Sequence, residues 1–230
     1  RKVNACRACG ERKLAPILNL GVQEIVNFQD KPVVSAPLEL MICESCWTAQ
    51  LHHEVDRSYL FETYYFRSNS NATYVNHLKE VAYDVLRRAK PKKGDVIVDI
   101  GANDGTWLSF IPNKHVTFGF EPAKNLGNDP DEQAWLIQDF FPAGITIMDG
   151  AKVIYCGFMF YDISDPLAFL KEVKKMLAKD GLFVCEMNYL PMMLKNNAVD
   201  NISAEHQTYW TLRSLENLLF RAGLQAEDVS

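Results

Sequence analysis

The sequence predicts an α/β chain: a parallel, Rossmann-like β-sheet covered by helices, preceded by a small β-rich metal-binding domain. Three observations carry this. Two Cys-x-x-Cys pairs stand near the start of the chain. From Val96 onward, short apolar runs alternate with stretches of helical period, the pattern of strands buried on both faces of a parallel sheet. Acidic residues, Asp99, Glu121 and Asp139, stand at the ends of the first three of those runs.

Composition sets the bounds. With 230 residues, 48% hydrophobic and 23% charged, the chain has an ordinary globular make-up, long enough for one full α/β domain and a small appendage. A net charge of −5 argues against a nucleic-acid partner, which usually requires a basic face. The basic tract Arg87, Arg88, Lys90, Lys92, Lys93 reads as a solvated helix end, where positive charge is favourable. No apolar run approaches the ~18 residues of a membrane span, and the first residues carry no signal-peptide core. The expectation is a cytoplasmic protein with a small-molecule substrate and neither a nucleic-acid nor a membrane partner; the oligomeric state is not readable. Arg1 in first place suggests that the native chain starts earlier.

Residues 1–55 read as the metal-binding domain, with short strands at 38–43 and 48–52. Residues 56–93 read as an aromatic connector or lid (59–72) followed by a helix at 73–89. Val75, Leu78, Val81, Ala82, Val85 and Leu86 give that helix one apolar face, and Pro91 and Gly94 end it. Residues 94–230 read as the cofactor-binding domain. Strands are expected at 96–100, 116–120, 135–138, 152–156 and 182–185. Leu167, Leu170, Val173, Met176 and Leu177 mark a helix with Gly181 as its C-cap. Leu212, Leu215, Leu218, Leu219 and Ala222 mark another, closed by Gly223. A sixth strand is expected at 224–229.

Cys6, Cys9, Cys43 and Cys46 form two knuckles, each able to turn two thiolates to one side. Together they complete a tetrahedral S4 shell suited to Zn²⁺. Such a closed shell makes the metal structural. Disulfides are the competing reading. Cys156 and Cys185, at strand ends, read as buried small apolar residues, and His52 and His53 as a surface pair or spare ligands.

The cofactor reading rests on Asp99-Ile-Gly101-Ala-Asn103-Asp-Gly105. Glycines let backbone approach a ligand, and the carboxyl ends of strands are where open α/β sheets bind one. The spacing is neither the dinucleotide Gly-x-Gly-x-x-Gly nor a phosphate-binding P-loop. S-adenosylmethionine needs no pyrophosphate cradle; it needs a carboxylate or backbone groups for its ammonium and room for its sulfonium. Glu121 suits the ribose hydroxyls, with Pro122 following it. Asp139 and Phe140 suit the adenine, and Gly157 follows the fourth strand. Another nucleotide, NAD included, stays open on the order of acidic residues alone.

Taken in order, the two cysteine pairs, Tyr64-Tyr-Phe-Arg-Ser68, Asp99 to Gly105, Gly119-Phe-Glu-Pro-Ala123, Asp139-Phe-Phe141 and Glu205-His206 resemble the zinc-containing sugar C-methyltransferases. These are class I methyltransferases that act on nucleotide-linked keto-deoxysugars. The resemblance implies that a base removes a proton beside a ketone and that the enolate takes the methyl group of S-adenosylmethionine. His206 matches the base position, Glu205 would orient or tune it, and Tyr64 matches an aromatic residue lining the site. Two positions depart from the family pattern: Ser203 stands where a tyrosine is usual and Asp162 where a histidine is usual. The family also continues into a C-terminal domain, so the chain is expected to be a fragment. An O- or N-methyltransferase of another small molecule and a catalytically inactive scaffold remain as alternative readings.

Overall fold

A computed structural model describes residues 1–25, 34–126 and 135–230. In chain order the elements are β1 (Leu14–Ile25), β2 (Val34–Cys43), β3 (Ala49–Leu51), α1 (Arg57–Phe61), α2 (Ala72–Ala89), β4 (Val96–Ile100), α3 (Thr106–Ser109), β5 (Val116–Phe120), β6 (Trp135–Ile137), β7 (Ala151–Gly157), α4 (Pro166–Met176), β8 (Leu177–Glu186), α5 (Leu190–Asn196), β9 (Thr208–Tyr209) and α6 (Leu212–Ala222). They fall into two compact units. One comprises Phe61–Gly157 and Lys175–Glu186, the other Arg1–Leu60, Phe158–Lys174 and Met187–Ser230.

The first unit is built on a five-stranded sheet of order β6-β5-β4-β7-β8, with every neighbouring pair parallel. The central strand β4 is Val-Ile-Val-Asp-Ile; four of its five residues are buried, as a strand with neighbours on both edges requires. Ile97, Val153, Trp107 and Leu108 join Leu78, Ala82 and Val85 of α2 in one core. Each of the leucine, isoleucine and valine side chains contributes roughly 1.5–3 kcal/mol by leaving water. Asn71 caps α2, its Oδ1 accepting from the amides of Thr73 at 2.9 Å and Tyr74 at 3.2 Å. Lys90, in the left-handed region at φ 47°, ends the helix, so the C-cap falls before Pro91.

The fifth strand corrects the sequence expectation. Leu177 does not belong to the helix and Gly181 does not cap it. The strand β8 starts at Leu177 and carries a bulge at 178–181, because Ala151 pairs with Leu177 while Val153 pairs with Leu182. Gly181 is needed there for space: a Cβ would lie 2.6 Å from the carbonyl oxygen of Ala151. A bulge inserts residues without side-chain period, which makes such a stretch look like a helix terminus in sequence.

The second unit holds an antiparallel sheet of order β1-β2-β3-β9. The two-residue strand β9 comes from far along the chain, with Ala49 paired to Tyr209 and Gln50 to Thr208. Leu38, Leu40, Leu51, Met193 and Tyr209 form its core. Arg7 is a buried cross-link: its guanidinium donates to Glu54 at 3.1 Å, the Ser164 carbonyl at 2.7 Å and Gln207 at 2.8 Å. The helix α6 starts with a reciprocal Thr211–Ser214 capping box and ends at Gly223 with φ 77°, the end that the sequence predicts. The expected sixth strand at 224–229 is not a strand; the amide of Leu224 instead bonds the Leu219 carbonyl at 2.9 Å and closes the helix end. Among the described residues no helix is long and apolar enough to cross a membrane.

Candidate functional site

The two knuckles have matching backbones. The amide of Gly10 bonds the Cys6 carbonyl and that of Trp47 bonds the Cys43 carbonyl, both at 2.8 Å. Gly10 at φ 83° and Trp47 at φ 61° both take the left-handed turn that this closure requires. The knuckles bring four sulfurs together, all within 4.8 Å of one another. Cys6 Sγ lies 3.5 Å from Cys46 Sγ, and Cys9 Sγ 3.7 Å from Cys43 Sγ. A tetrahedron of thiolates at ~2.3 Å from Zn²⁺ has edges of about 3.8 Å. The four cysteines are free of disulfides and therefore fit zinc, in a shell with no open position. The contact between Cys6 and Cys46 lowers the Cys46 thiol and raises the Cys6 thiol, as two sulfurs sharing one proton would; the thiolate form is the one that binds metal.

In the first unit the carboxyl ends of β4 and β5 build the second feature. Asp99, Gly101, Asn103, Gly105, Glu121 and Pro122 gather there, as the sequence reading places them. Gly101 at φ 77°, Asn103 at φ 53° and Gly105 at φ 78° turn the loop tightly. Glu121 is buried, and each of its oxygens accepts one backbone amide at 2.9 Å, from Asn103 and from Ala123. A carboxylate has about four acceptor sites, so capacity remains for two hydroxyls. Asp99 is 2% exposed, and its Oδ1 is shut off from solvent with no hydrogen-bond partner. Burial, and then the neighbouring Glu121, push its carboxyl well above the ordinary range. Burial likewise raises Glu121.

Among the described residues no cation offsets either carboxyl. S-Adenosylmethionine carries an ammonium, a sulfonium and a ribose diol, and the residues present fit it. Asp139, exposed, stands two residues past the end of β6 and accepts the Phe140 amide at 2.7 Å; Gly157 ends β7. Both stand at carboxyl ends of strands of the same sheet.

Other residues here escape the sequence reading. Asp104 Oδ1 accepts the Thr106 hydroxyl at 2.5 Å, and its Oδ2 accepts the Asn69 amide at 3.0 Å. Asn103 binds the Ser68 amide at 3.0 Å and the Phe66 carbonyl at 2.9 Å. The aromatic connector is thereby pinned along 66–69 to the glycine loop. Farther up the connector, Asn125 exchanges two hydrogen bonds with the backbone of Tyr64, at 2.7 and 2.8 Å. Glu186, at the end of β8, accepts from the Tyr155 hydroxyl at 2.6 Å and pairs with His77 Nε2 at 2.8 Å. Tyr155 also stacks on Trp107 at 4.3 Å. The fields of Glu186, Asp99 and Asp104 add to burial in pushing the Tyr74 phenol up to about 12. The strand-end acid rule that selects Asp99 and Glu121 would also have selected Glu186.

Tyr64 belongs to this unit; Glu205 and His206 belong to the other. There the His206 ring is largely buried, Nδ1 lies 2.7 Å from the Asn201 carbonyl oxygen, and the Tyr161 ring meets it edge-on at 4.4 Å. A carbonyl only accepts, so Nδ1 carries the hydrogen and Nε2 the lone pair. Burial lowers the His206 pKa and raises that of Glu205. Asp162 is raised well above the ordinary range by burial and then by Glu205. Its Oδ1 and the Ser203 hydroxyl are buried without hydrogen-bond partners.

Known proteins are similar to this chain in sequence and in fold. The methyltransferase domain family matches residues 74–229 and the zinc binding domain family matches residues 6–61. The C-methyltransferase NovU of Streptomyces niveus is 28% identical over 245 residues, covering 100% of this chain and 58% of that protein. The chain thus spans little more than half the length of that relative. A chain of the complex between the Haloferax volcanii Trm112 methyltransferase activator and a methyltransferase superposes with TM-score 0.54 at 18% identity, over 68% of this chain and 75% of that one. The plantazolicin methyltransferase BpumL, solved with SAH, gives 0.52 at 16% identity, over 64% and 61%. At these identities the structural likeness is one of fold.

Proposed function

Because the chain belongs to the methyltransferase domain family, we propose that it methylates a carbon beside a ketone, using S-adenosylmethionine, on a nucleotide-linked keto-deoxysugar. The observation that carries the cofactor is the buried Asp99 carboxyl beside Glu121, whose Oδ1 has neither solvent nor a hydrogen-bond partner. Two buried acids at one sheet end are costly without a cation. Carbon as the acceptor is supported by the name of NovU, and by an imidazole held neutral with Nε2 unprotonated.

Bound S-adenosylmethionine supplies an electrophilic methyl group. The chain's residues do the rest. Asp99 faces the ammonium, and Glu121 grips the ribose hydroxyls while staying fixed by the Asn103 and Ala123 amides. Asp139 and Phe140 address the adenine, and Gly101 and Gly105 leave room for backbone approach; the space beside Gly157 is taken by the Tyr155 hydroxyl. His206 Nε2 takes the proton from the carbon next to the ketone, and that carbon becomes the methyl acceptor. The Asn201 carbonyl and the Tyr161 ring fix the imidazole so that it need not reorganise during the transfer. Glu205 tunes the imidazole, and the Tyr64 phenol donates to the oxygen on which negative charge develops.

Deuterium exchange tests the base. Incubated in D₂O with SAH and a nucleotide-linked keto-deoxysugar, the chain should wash deuterium into the position next to the ketone, and His206→Gln should not. Methyl transfer to an oxygen or nitrogen without such exchange would overturn the carbon-acceptor reading. Absence of calorimetric SAH binding would overturn the cofactor reading.

A further inference from the structure

The unit that holds the four cysteines carries a second group of ligand-type side chains. Glu39 lies on β2, and His52 and His53 directly follow β3. Glu39 Oε2 is 3.1 Å from His52 Nδ1 and 3.4 Å from His53 Nδ1. The two rings are 5.1 Å apart, and one ligand atom from each of the three residues lies within 4.8 Å of the others.

We propose that Glu39, His52 and His53 form a second metal site, an open His₂–carboxylate site for a divalent transition ion of the zinc class.

The spacing is that of ligands around one ion. At metal–nitrogen and metal–oxygen distances near 2.0–2.1 Å, tetrahedral ligand edges are about 3.3 Å, and the two measured edges bracket that value. Both rings are within ion-pair distance of Glu39 Oε2, but only His52 makes a hydrogen bond with it. His53 Nδ1 is sealed from solvent and makes no hydrogen bond, so its lone pair or hydrogen is without a use unless an ion sits between it and the carboxylate.

The carboxylate is also prepared for one-sided ligation. Asn19, the β1 residue paired with Glu39, donates its Nδ2 hydrogen to Glu39 Oε1 at 2.9 Å. That bond leaves Oε2 for the metal, an outer-shell contact of the kind that orients ligating carboxylates. The His52 amide donates to the Glu39 carbonyl at 2.8 Å, and the backbone at His53 is bridged to Lys2, which ties the segment bearing both rings to its neighbours on either side. Imidazole with carboxylate suits Zn²⁺, Co²⁺ or Ni²⁺ rather than Ca²⁺ or Mg²⁺. Three protein ligands leave at least one position for water, so this site should bind more weakly than the four-thiolate shell.

The test uses the whole chain with its cysteine shell loaded with Zn²⁺. Titration with Co²⁺, followed by calorimetry and visible absorption, should show one further equivalent whose d–d bands come without thiolate charge transfer. Glu39→Gln and His53→Ala should each weaken that equivalent at least tenfold while zinc content stays at one per chain. Because a variant can misfold, the unmodified chain loaded with ¹¹³Cd²⁺ is read by NMR. Two resonances are expected, one in the four-thiolate region and one in the nitrogen–oxygen region. A single thiolate resonance, cobalt bands only with thiolate charge transfer, or equal affinity in the folded variants would overturn the proposal.

Discussion

His206 gives its Nδ1 hydrogen to the backbone carbonyl of Asn201, 2.7 Å away. The partner is main chain, so no side-chain rotation removes it and the lone pair stays on Nε2. Burial lowers the imidazole pKa, below the ordinary value of ~6.5. A base acts in its neutral form, so kcat/KM should be full at pH 7 and fall as pH drops through that lowered value. His206→Gln should lose about 10²–10⁴-fold and the acid limb with it. A limb above the ordinary histidine value, or one unchanged in the variant, would count against the base.

Asp99 and Glu121 should control cofactor affinity. Hydrogen bonds to charged groups contribute roughly 1.5–3 kcal/mol, which is about 10–150-fold in Kd. Asp99→Asn and Glu121→Gln should each weaken SAH within that range by calorimetry. The glutamine should also perturb the loop. Both Glu121 oxygens accept backbone amides, and an amide nitrogen in either place would face another donor.

The regular part of the first unit was legible because burial on both faces writes apolar runs, and strands β4, β5 and β7 fall where those runs lie. The acids at their ends were legible because ligands meet a parallel sheet at its carboxyl ends. Irregular pairing leaves no such pattern. The bulge before Leu182 mimicked a helix end, and β9 is two residues recruited from far along the chain. Residues 224–229 alternate like a strand, yet a strand exists only with a partner, and Leu224 closes α6 instead. The Glu186, Tyr155 and His77 cluster joins three separate segments, so only the fold could unite them.

The four-thiolate centre should determine whether the antiparallel sheet forms. Zinc binding in comparable small domains is worth roughly 10–16 kcal/mol, more than a small sheet core supplies alone. Cys43→Ser, or chelation, should erase hydrogen-exchange protection in β2 and β3. Amides of β4 and β7 should change far less. Equal loss in all four strands would mean that the metal supports more than its own sheet.

Tyr155→Phe isolates the bond to Glu186. The phenol is buried, stacks on Trp107 and donates to the carboxylate at 2.6 Å. The ring survives the change, so the stack remains and only the charge-assisted bond is lost, at about 1.5–3 kcal/mol. A lowered melting temperature with an unaltered sheet by circular dichroism is the expected result. An unchanged melting temperature would mean that water replaces the hydroxyl at no cost.

Asp162 should give the chain a stability that declines with rising pH. One of its carboxyl oxygens is shut off from solvent without a partner, and burial followed by the nearby Glu205 raises its pKa well above the ordinary range. The folded state therefore holds the proton more tightly than the unfolded chain does. By linkage, this stabilisation is full below the unfolded value of ~3.9 and is lost progressively as pH rises through the folded value. Asp162→Asn keeps the shape and cannot ionise, so its denaturation midpoint should gain on that of the parent across the same interval. Asp99 is raised in the same direction, so the measurement needs the difference between parent and variant, in which the Asp99 contribution cancels. A difference that stays flat with pH, or that grows in favour of the parent, would show that Asp162 is ionised in the fold and paired.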